Sequence, residues 1–421
     1  MRYLLPDCLY TPHGFSAGLG VVVNDSGHIV AISENAPEGA KTLRLNGCAL
    51  MPGFINSHSH VFQRMLRGQC ERASTNESFW SWRQKMYELV DILTPAQMEI
   101  IAAHTFGEML QSGYTTVKEF HYLHHPPGGG NYKNPHEMAL RIQAAATAAG
   151  ISLHLIRVAY LNVSESSQKR FADKNIQDAL AQTSALQLEL SVPVGIAPHS
   201  IRAVLPEGIA ACAQWARDNS AECHAHVAEQ PREIEWSQKE YGVSPMQLLA
   251  QHGVLDSNFT AVHATHLDPG EIEAAGSAGI TACICPTTEA NLGDGVPATQ
   301  ELLNAGTQLA IGTDSQSEID PFQELRLLEY NERNRLGQRQ ILDPVDLINA
   351  TTEAMTVGSE ARFLSINLTH TSLLGIAHEQ LASALVMAGR PECIQSVWMG
   401  SGWVENAQSS SPFVALCREL T

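Results

Sequence analysis

Basic residues are scarce in this sequence. Lysine and arginine together number 26, against 44 aspartates and glutamates, and the formal net charge is −18. Nucleic acids and anionic membrane surfaces are bound through clustered cations. The charge balance therefore argues against both as partners, although a few local arginines can still bind an anionic small molecule.

Long apolar runs are also missing. Apolar residues make up 44% of the chain, but no stretch approaches the roughly 18 uninterrupted apolar residues of a transmembrane helix. The N-terminal sequence MRYLLPDCLYTPHGF has neither a continuous apolar segment nor a small-residue cleavage site. We therefore predict no transmembrane helix, no signal peptide and a cytoplasmic protein.

The nine cysteines are scattered and odd in number. This usage favours reduced thiols in a cytoplasmic enzyme over a disulfide framework. The pair Cys283-x-Cys285 lies inside an apolar run with no second cysteine pair near it. We expect buried strand thiols there rather than a zinc ribbon.

Two sequence textures divide the chain. Residues 1–49 contain short β-like runs broken by turns, LGVVVND, HIVAISE and AKTLRLNG, which predict part of a small β domain. Residues 50–364 alternate strand-like and helical runs. Short runs such as SALVMAG and IQSVWMG then return, so residues 365–421 are expected to complete the small domain as a β-sandwich.

The middle segment predicts eight parallel strands, expected at residues 50–56, 114–120, 153–160, 192–198, 221–227, 260–264, 280–285 and 309–312. Helical runs are predicted at residues 95–111, 135–149, 206–217, 271–278, 321–336 and 344–359. Eight alternations over about 260 residues are typical of a (β/α)8 barrel. An open doubly wound sheet is the alternative, but no G-x-G-x-x-G follows the first strand.

Histidine and aspartate stand where these strands end, and catalytic groups of barrel enzymes lie at such C-terminal ends. The first strand ends in His58-x-His60, whose side chains point to the same side. The fifth strand ends at His226 and the eighth at Asp314. Surface or core histidines explain an isolated H-x-H better than a metal site does, but the combined set predicts a metal site.

Three imidazoles and one carboxylate suit one divalent metal, Zn²⁺ with Fe²⁺ as the alternative. Water in an open coordination position would have its pKa lowered toward about 7 and provide hydroxide at neutral pH. Glu229 is then the expected proton shuttle from that water to a leaving nitrogen. Asp314 is expected to bind metal and hold a water proton. His263, near the end of the sixth strand, is expected to polarise the substrate or orient the hydroxide.

Three other side chains complicate this site. His224 shares a strand face with His226, and we place it one layer deeper in the barrel. Lys118 lies on the second strand, and no lysine ends the fourth strand to bridge two metals, so one metal is predicted. Glu119 is interpreted as a structural carboxylate or one that supports a ligand.

Two arginines fall on the same predicted face of the barrel. Arg83 lies in the first connection from strand to helix, and Arg202 follows the fourth strand. A guanidinium matches a carboxylate bidentately, so the pair suits a dicarboxylate, with surface salt bridges as the alternative. The Pro/Gly-rich loop at residues 124–131 is either a lid or simply exposed, and no ligands are assigned in it.

Four stretches carry a resemblance to a known family. MPGFINSHSH, HVAEQ, VHATH and GTDS resemble the amidohydrolase superfamily, over almost the whole chain. Three further stretches, FWSWRQKMY, EFHYLHH and APHSIRAV, are similar to a narrower group, the formimidoylglutamate deiminases. The resemblance implies hydrolysis of N-formimino-L-glutamate to N-formyl-L-glutamate and ammonia, a step of histidine breakdown.

The resemblance also implies roles for individual residues. It implies the same metal ligands, with Glu229 and His263 as catalytic groups. It implies substrate recognition by Gln63, Arg83, Tyr122, His199 and Arg202. A homodimer is expected on the same ground. The sequence departs from the family pattern near the C-terminus. Related proteins usually carry a Gly-Lys/Arg-x-Ala-Asp turn there, whereas this sequence reads HEQLASAL and has no aspartate.

Two rival functions stay open at this point. One is another deaminase of the superfamily, acting on a purine, a pyrimidine or a guanidino compound. Paired arginines lean away from a heterocycle, whereas N-guanidino-L-glutamate differs only at the reacting carbon. The other rival is a non-catalytic scaffold of the same fold, from which metal content would distinguish an enzyme.

Overall fold

A computed structural model describes residues 1–70, 79–404 and 410–420 of the chain. The first strands belong to a mixed sheet: β1 (Arg2–Thr11), β2 (Gly14–Ala17), β3 (Gly20–Val23), β4 (Ile29–Ser33) and β5 (Lys41–Pro52). Strands β1 and β5 run parallel, whereas β1 pairs antiparallel with β2 and β3. The predicted β structure of the N-terminal segment is therefore confirmed.

Eight parallel strands follow and form the barrel: β6 (Phe54–Ser59), β7 (Tyr114–His121), β8 (Ser152–Ala159), β9 (Val194–Pro198), β10 (Cys223–Val227), β11 (Phe259–His263), β12 (Thr281–Ile284) and β13 (Gln308–Ile311). Each strand pairs with its neighbour in chain order, so the predicted (β/α)8 fold is confirmed and the open sheet is excluded. Cys283 and Cys285 are buried free thiols, as expected.

The first predicted strand, 50–56, is divided at Gly53. Residues up to Pro52 belong to β5 of the mixed sheet, and the barrel begins at Phe54. Gly53 donates its N–H to the carbonyl of Arg362, and a Cβ at this position would lie 2.1 Å from the Thr115 hydroxyl. One apolar run therefore crosses between two sheets at a residue that must lack a side chain.

In the described part of the chain, twelve helices follow or cover the barrel strands: α1 (Phe79–Val90), α2 (Pro95–Ser112), α3 (Glu137–Ala149), α4 (Ile176–Glu189), α5 (Pro206–Asp218), α6 (Pro231–Tyr241), α7 (Pro245–Gln251), α8 (Pro269–Ala278), α9 (Pro286–Leu292), α10 (Thr299–Ala305), α11 (Pro321–Leu336) and α12 (Pro344–Thr351). Most begin at proline, which has no N–H to leave unpaired in the first turn. The helix predicted at 344–359 ends early, at Thr351. Within the described ranges, every helix is too short or too polar to cross a membrane.

Three strands near the C-terminus join the mixed sheet: β14 (Arg362–Asn367), β15 (Ile394–Met399) and β16 (Gly402–Trp403). Strand β14 pairs antiparallel with β5, so both chain ends build this sheet, around a small core that includes Leu4, Phe363 and Trp398. The limits 1–49, 50–364 and 365–421 stay predictions, since β5 and β14 each run across one of them. Residues 405–409 and 421 lie outside the described residues.

The prediction of β structure for SALVMAG is wrong. These residues form helix α13 (Leu381–Ala388), whose buried Leu381 and Leu385 are four residues apart, as on one face of a helix. Helix α14 (Ser411–Leu420) follows, and its Phe413 stacks on His104 of α2 with ring centroids 3.8 Å apart. The C-terminal segment therefore also contacts the barrel. IQSVWMG does form β15.

Strands β6 and β13 close the barrel. The N–H of His60 donates to the carbonyl of Asp314, and the N–H of Asp314 donates to the carbonyl of His58, both at 3.0 Å. The two strand ends also approach each other closely at Gly312, where a Cβ would lie 2.7 Å from both the Cβ and the carbonyl oxygen of His58. Closure therefore brings the first and last strands, with their predicted ligands, into direct contact.

We expect Gly312→Ala to lower the free energy of unfolding by about 1–3 kcal/mol, because the added methyl group must displace the backbone of His58. Urea unfolding would measure this change. Gly402→Ala is the matched control, since nothing lies within 4 Å of a Cβ at that position. Equal unfolding midpoints for the two variants would refute the tight closure.

Candidate metal centre and active site

Four predicted ligands converge where the barrel strands end. The Nε2 of His58 lies 3.1 Å from the Nε2 of His60 and 3.1 Å from that of His226. Asp314 Oδ1 lies 3.4 Å from the Nε2 of His58 and 3.3 Å from that of His60. All four donor atoms lie within 4.8 Å of one another, although they come from β6, β10 and the end of β13.

The hydrogen bonds of two imidazoles leave their Nε2 atoms available to bind a cation. His60 Nδ1 donates to the carbonyl of Phe120, and His226 Nδ1 donates to the carbonyl of His199, each at 3.0 Å. Burial and the neighbouring His58 lower the pKa of His60 to about 3, so this ring is neutral and its Nε2 presents a lone pair. Tetrahedral ligands of Zn²⁺, at about 2.0–2.1 Å, have donors roughly 3.3 Å apart. The observed spacing meets that requirement.

The backbone adopts the left-handed region at two of these strand ends. Asp314 has a φ of 46° and His263 a φ of 69°. Such conformations cost roughly 1–3 kcal/mol in residues other than glycine, and they persist where the surroundings hold them. For Asp314 the two hydrogen bonds that close the barrel do so. Burial would raise the pKa of Asp314, but the hydrogen bond and charge of His58 outweigh it and keep the pKa well below its ordinary value.

Glu229 follows β10 and is buried beside the cluster. Its Oε1 lies 3.8 Å from Nε2 of His263, and its backbone N–H donates to Glu233 at 3.2 Å. Burial raises the pKa of Glu229, against the opposing charges of His263 and Arg202. A carboxyl group whose pKa is shifted toward neutrality can both accept and release a proton near neutral pH.

Glu289, on α9, was missed by the sequence analysis. Its Oε1 lies 3.2 Å from Nδ1 of His263 and accepts the N–H of Cys285 at 2.9 Å. Burial alone would lower the pKa of His263, but the Glu229, Glu289 and Asp314 carboxylates raise it well above its ordinary value. Glu289 therefore keeps a proton on Nδ1 of His263 and fixes the orientation of the ring.

We expect Glu289→Gln to lower kcat by about 10–100-fold, because the amide keeps the shape but not the charge that orients His263. Metal content should stay unchanged. Steady-state kinetics together with metal analysis would measure both. Glu273→Gln, at an exposed position of α8, is the control. A Glu289 variant as fast as wild type would show that the orientation of His263 does not matter.

A cavity of about 390 Å³ adjoins the cluster. It is lined by every residue predicted to act in catalysis or substrate recognition: Gln63, Arg83, Tyr122, His199, Arg202, Glu229, His263 and Asp314. Aromatic side chains that the sequence analysis missed also line it, among them Trp82, Tyr87, Tyr160, Phe171 and Trp236. The structure thus brings the predicted site together in one cavity, with more aromatic surface than the motifs indicated.

Gln63 and Tyr122 hold each other in the wall of this cavity. The Gln63 amide donates to the Tyr122 hydroxyl at 2.9 Å, and its Oε1 is buried with no hydrogen-bond partner among the described residues. His199 packs edge-on to Tyr122, with ring centroids 5.8 Å apart, while its carbonyl orients His226. These three residues therefore link the metal cluster to the cavity wall.

The two arginines have different surroundings. Arg83 donates to the Tyr87 hydroxyl at 2.8 Å and lies 3.5 Å from a Glu165 carboxylate oxygen, so the salt-bridge alternative holds for it in part. Arg202 is half-buried, and no carboxylate of the described residues lies within 4 Å of its guanidinium. Its Nε is buried without a hydrogen-bond partner in that part of the chain. A cation that forms no close ion pair and lies in a cavity wall favours an anionic ligand.

The side chains that complicated the prediction lie apart from the four donors. His224 contacts Glu222 through Nε2 at 3.1 Å, and Lys118 donates to the same carboxylate at 2.9 Å, so both are engaged elsewhere. Glu119 accepts the Ser59 hydroxyl at 2.6 Å, and burial raises its pKa to about 8. Glu119 therefore supports the strand end that carries His58 and His60. In addition, Cys285 brings its sulfur within 4.8 Å of ligand atoms of His263 and Asp314.

A closed (β/α)8 barrel with a cluster of three histidines and one aspartate at its strand ends defines a class of metal-dependent hydrolases. The amidohydrolase family matches residues 49–355. The chain belongs to this family.

Two relatives and one solved structure are similar to the chain over most of its length. The formimidoylglutamate deiminase of Pseudomonas aeruginosa is 35% identical, over 93% of this chain and 92% of its own length. The 8-oxoguanine deaminase of the same species is 26% identical, over 94% of this chain and 92% of its own. An amidohydrolase structure from Brucella melitensis matches with a TM-score of 0.90 at 30% identity, covering 100% of this chain and 99% of the other.

Proposed function

We propose that this protein hydrolyses N-formimino-L-glutamate to N-formyl-L-glutamate and ammonia with one divalent metal. The observation that carries the proposal is Arg202, which forms no ion pair within 4 Å among the described residues and lines the cavity that also holds Glu229 and the metal cluster. The glutamate moiety offers two carboxylates, for which Arg83 lines the same cavity. The 35% identity to a formimidoylglutamate deiminase supports the same substrate. A homodimer and a cytoplasmic location stay predictions.

The metal would be held by His58, His60, His226 and Asp314. A divalent cation there supplies Lewis acidity and lowers the pKa of water toward about 7. The donor set suits Zn²⁺, with Fe²⁺ as the alternative.

Proton transfer is the part performed by the chain itself. Glu229 takes one proton from the attacking water and delivers it to the imino nitrogen. The proton left on the new hydroxyl passes to the same nitrogen through Asp314, so that the nitrogen leaves as ammonia when the C–N bond breaks. His263, held by Glu289, donates a hydrogen bond from Nε2 toward the reacting atoms. The new C–O bond becomes the formyl carbonyl of the product, so the step needs no other reactant than water.

Substrate orientation would come from the opposite wall. Arg202 binds one carboxylate bidentately, and Arg83 binds the other in place of its 3.5 Å contact with Glu165. Gln63 and Tyr122, which hydrogen-bond each other, lie between these arginines and the metal cluster in the proposed arrangement. Holding both ends of the substrate places the formimino carbon within reach of Glu229.

A second candidate is a purine-type deaminase. The observation that favours it is the aromatic lining of the cavity, including Tyr160, Phe171 and Trp236, on which a heterocycle can stack. The 26% identity to an 8-oxoguanine deaminase supports the same candidate. The two arginines favour the dicarboxylate.

Ammonia release from a panel of substrates tests the proposal. Metal-replete protein would be assayed with N-formimino-L-glutamate, N-guanidino-L-glutamate, guanine and 8-oxoguanine. We expect kcat/KM for the formimino compound to exceed the others by at least about 100-fold. The purines lose the carboxylate contacts, and the reacting carbon of N-guanidino-L-glutamate carries a third nitrogen that makes it less electrophilic. No turnover of N-formimino-L-glutamate, or faster turnover of a purine, would reject the proposal.

We expect Arg202→Ala to lower kcat/KM for N-formimino-L-glutamate by about 10–100-fold, because one charge-assisted contact to a carboxylate is lost. Metal content should not change. Kinetics and metal analysis of the same preparation would measure both. The exposed Arg339→Ala is the control. Loss of metal in the Arg202 variant would show that this residue supports the cluster instead of binding substrate.

A further inference from the structure

A second cavity, of about 210 Å³, lies between the first turn of α3 and α4, from which Asp178, Gln182 and Leu186 line it. Its walls include His124, His125 and Gly130 from the loop at residues 124–131. No residue of that loop lines the first cavity, so the loop borders this second one. The interpretation of the loop as a lid over the metal cluster is not supported by its position.

His121 lines this second cavity with its polar atoms unsatisfied. It is 3% exposed and forms no side-chain hydrogen bond with any described residue. Of the two neighbouring histidines, His124 Nε2 contacts the carbonyl of Val158 at 2.9 Å and His125 Nε2 that of Ala172 at 3.1 Å, whereas His125 Nδ1 is buried without a partner among the described residues. Buried polar groups nearly always have a partner. A ligand in the cavity would provide one for His121.

The charge around the cavity favours an anion. Lys169 and Lys174 are exposed at its edge and form no ion pair in the described part of the chain. Arg157 and Asp173 neutralise each other through a buried contact of 2.5 Å, which leaves Asp178 as the other lining carboxylate. The lining is therefore positive by one charge, in a protein whose net charge is −18. The first turn of α3, whose Met138 and Ala139 line the cavity, adds partial positive charge.

We propose that this second cavity binds a small oxyanion, a carboxylate or a phosphate, through the imidazole N–H of His121 and the ammonium groups of Lys169 and Lys174. Its volume suits an ion or a very small metabolite, because cavities for drug-sized ligands are about 300–1,000 Å³. The site is separate from the proposed active site and does not depend on the proposed reaction.

One chain segment is shared by both cavities. Gln168 and Phe171 line the first cavity, whereas Lys169 and Asp173 line the second. Phe171 packs edge-on to Tyr122, with ring centroids 4.8 Å apart. An anion that draws Lys169 inward therefore also shifts a wall of the substrate cavity, and the ligand is expected to change KM.

Calorimetric titration with inorganic phosphate and with succinate tests the site and separates the two ligand classes. We expect saturable binding of at least one probe to the full-length wild type. The double variant K169A/K174A should bind at least 10-fold more weakly. K133A/K239A, which removes two exposed lysines outside the cavity lining, should bind as wild type does. Absence of binding by both probes, or equal binding by the two double variants, would overturn the proposal.

A third variant tests the role of the imidazole. H121F keeps a ring and removes both nitrogens, and it should weaken binding at least 10-fold. If H121F fails to fold, the double lysine variant decides alone, because both lysines are exposed. A saturating probe should also change KM at least 2-fold in wild type and not in K169A/K174A. Binding without any change in KM would support the proposed anion site but overturn its coupling to the first cavity.

Discussion

Glu229→Gln should keep one equivalent of metal and lower kcat by about 10²–10⁴-fold, the usual contribution of a positioned general acid and base. The amide preserves the size of the side chain, but it cannot accept a proton from water or deliver one to the leaving nitrogen. Because burial raises the pKa of Glu229, the wild-type rate should fall as the pH drops below that pKa. This acidic limb should disappear in the variant. Rates of ammonia release against pH would measure both effects.

The control for this variant is Glu235→Gln, an exposed carboxylate of α6. It changes the net charge by the same amount and should leave kcat and the pH profile as they are. A Glu229 variant with wild-type kcat would remove Glu229 from the proton shuttle. Loss of metal in that variant would instead make it a ligand or a support for one.

His226→Ala should lose metal and activity together, whereas His224→Ala should keep both. The two histidines are two residues apart on β10, but only His226 presents its Nε2 to the other donors among the described residues. We expect metal affinity to fall by more than about 100-fold in His226→Ala, since losing a ligand exceeds the effect of losing an outer partner. Metal analysis after dialysis against chelator, with kinetics, would measure this.

His224→Ala is a matched comparison because it has the same size and burial and belongs to the same strand. It should lower the free energy of unfolding, since Glu222 loses a hydrogen-bond partner at 3.1 Å. Retention of metal by both variants, or its loss from both, would contradict the assignment of His226 as the ligand.

The barrel could be predicted from the sequence because short apolar strand-like runs alternate with longer runs whose apolar residues recur with the period of a helix. The exceptions have physical reasons. Residues 50–56 form one apolar run, but the chain passes from one sheet to the other within it. Hydrogen bonds of the Gly53 and Phe54 N–H groups fix the point of transition. SALVMAG is apolar on nearly every residue, and a short run of that kind does not distinguish a buried helix from a strand.

The metal cluster was predictable since parallel strands of a barrel end at one rim, where residues distant in sequence must meet. Glu289 was not, because it reaches His263 from a helix 26 residues away and no spacing signals that contact. The 3.5 Å contact of Arg83 with Glu165 likewise depends on how two connections fold against each other. Ends of regular strands are predictable, whereas contacts between connections require the structure.

The most direct test of a one-metal deiminase is ammonia release from N-formimino-L-glutamate, measured while metal is added back to the apoprotein in known equivalents. The rate should rise in proportion to the metal bound and level off at one equivalent per chain, as one site built from His58, His60, His226 and Asp314 predicts. Fully loaded protein that releases no ammonia, or a rate that rises until two equivalents are bound, would contradict the proposal.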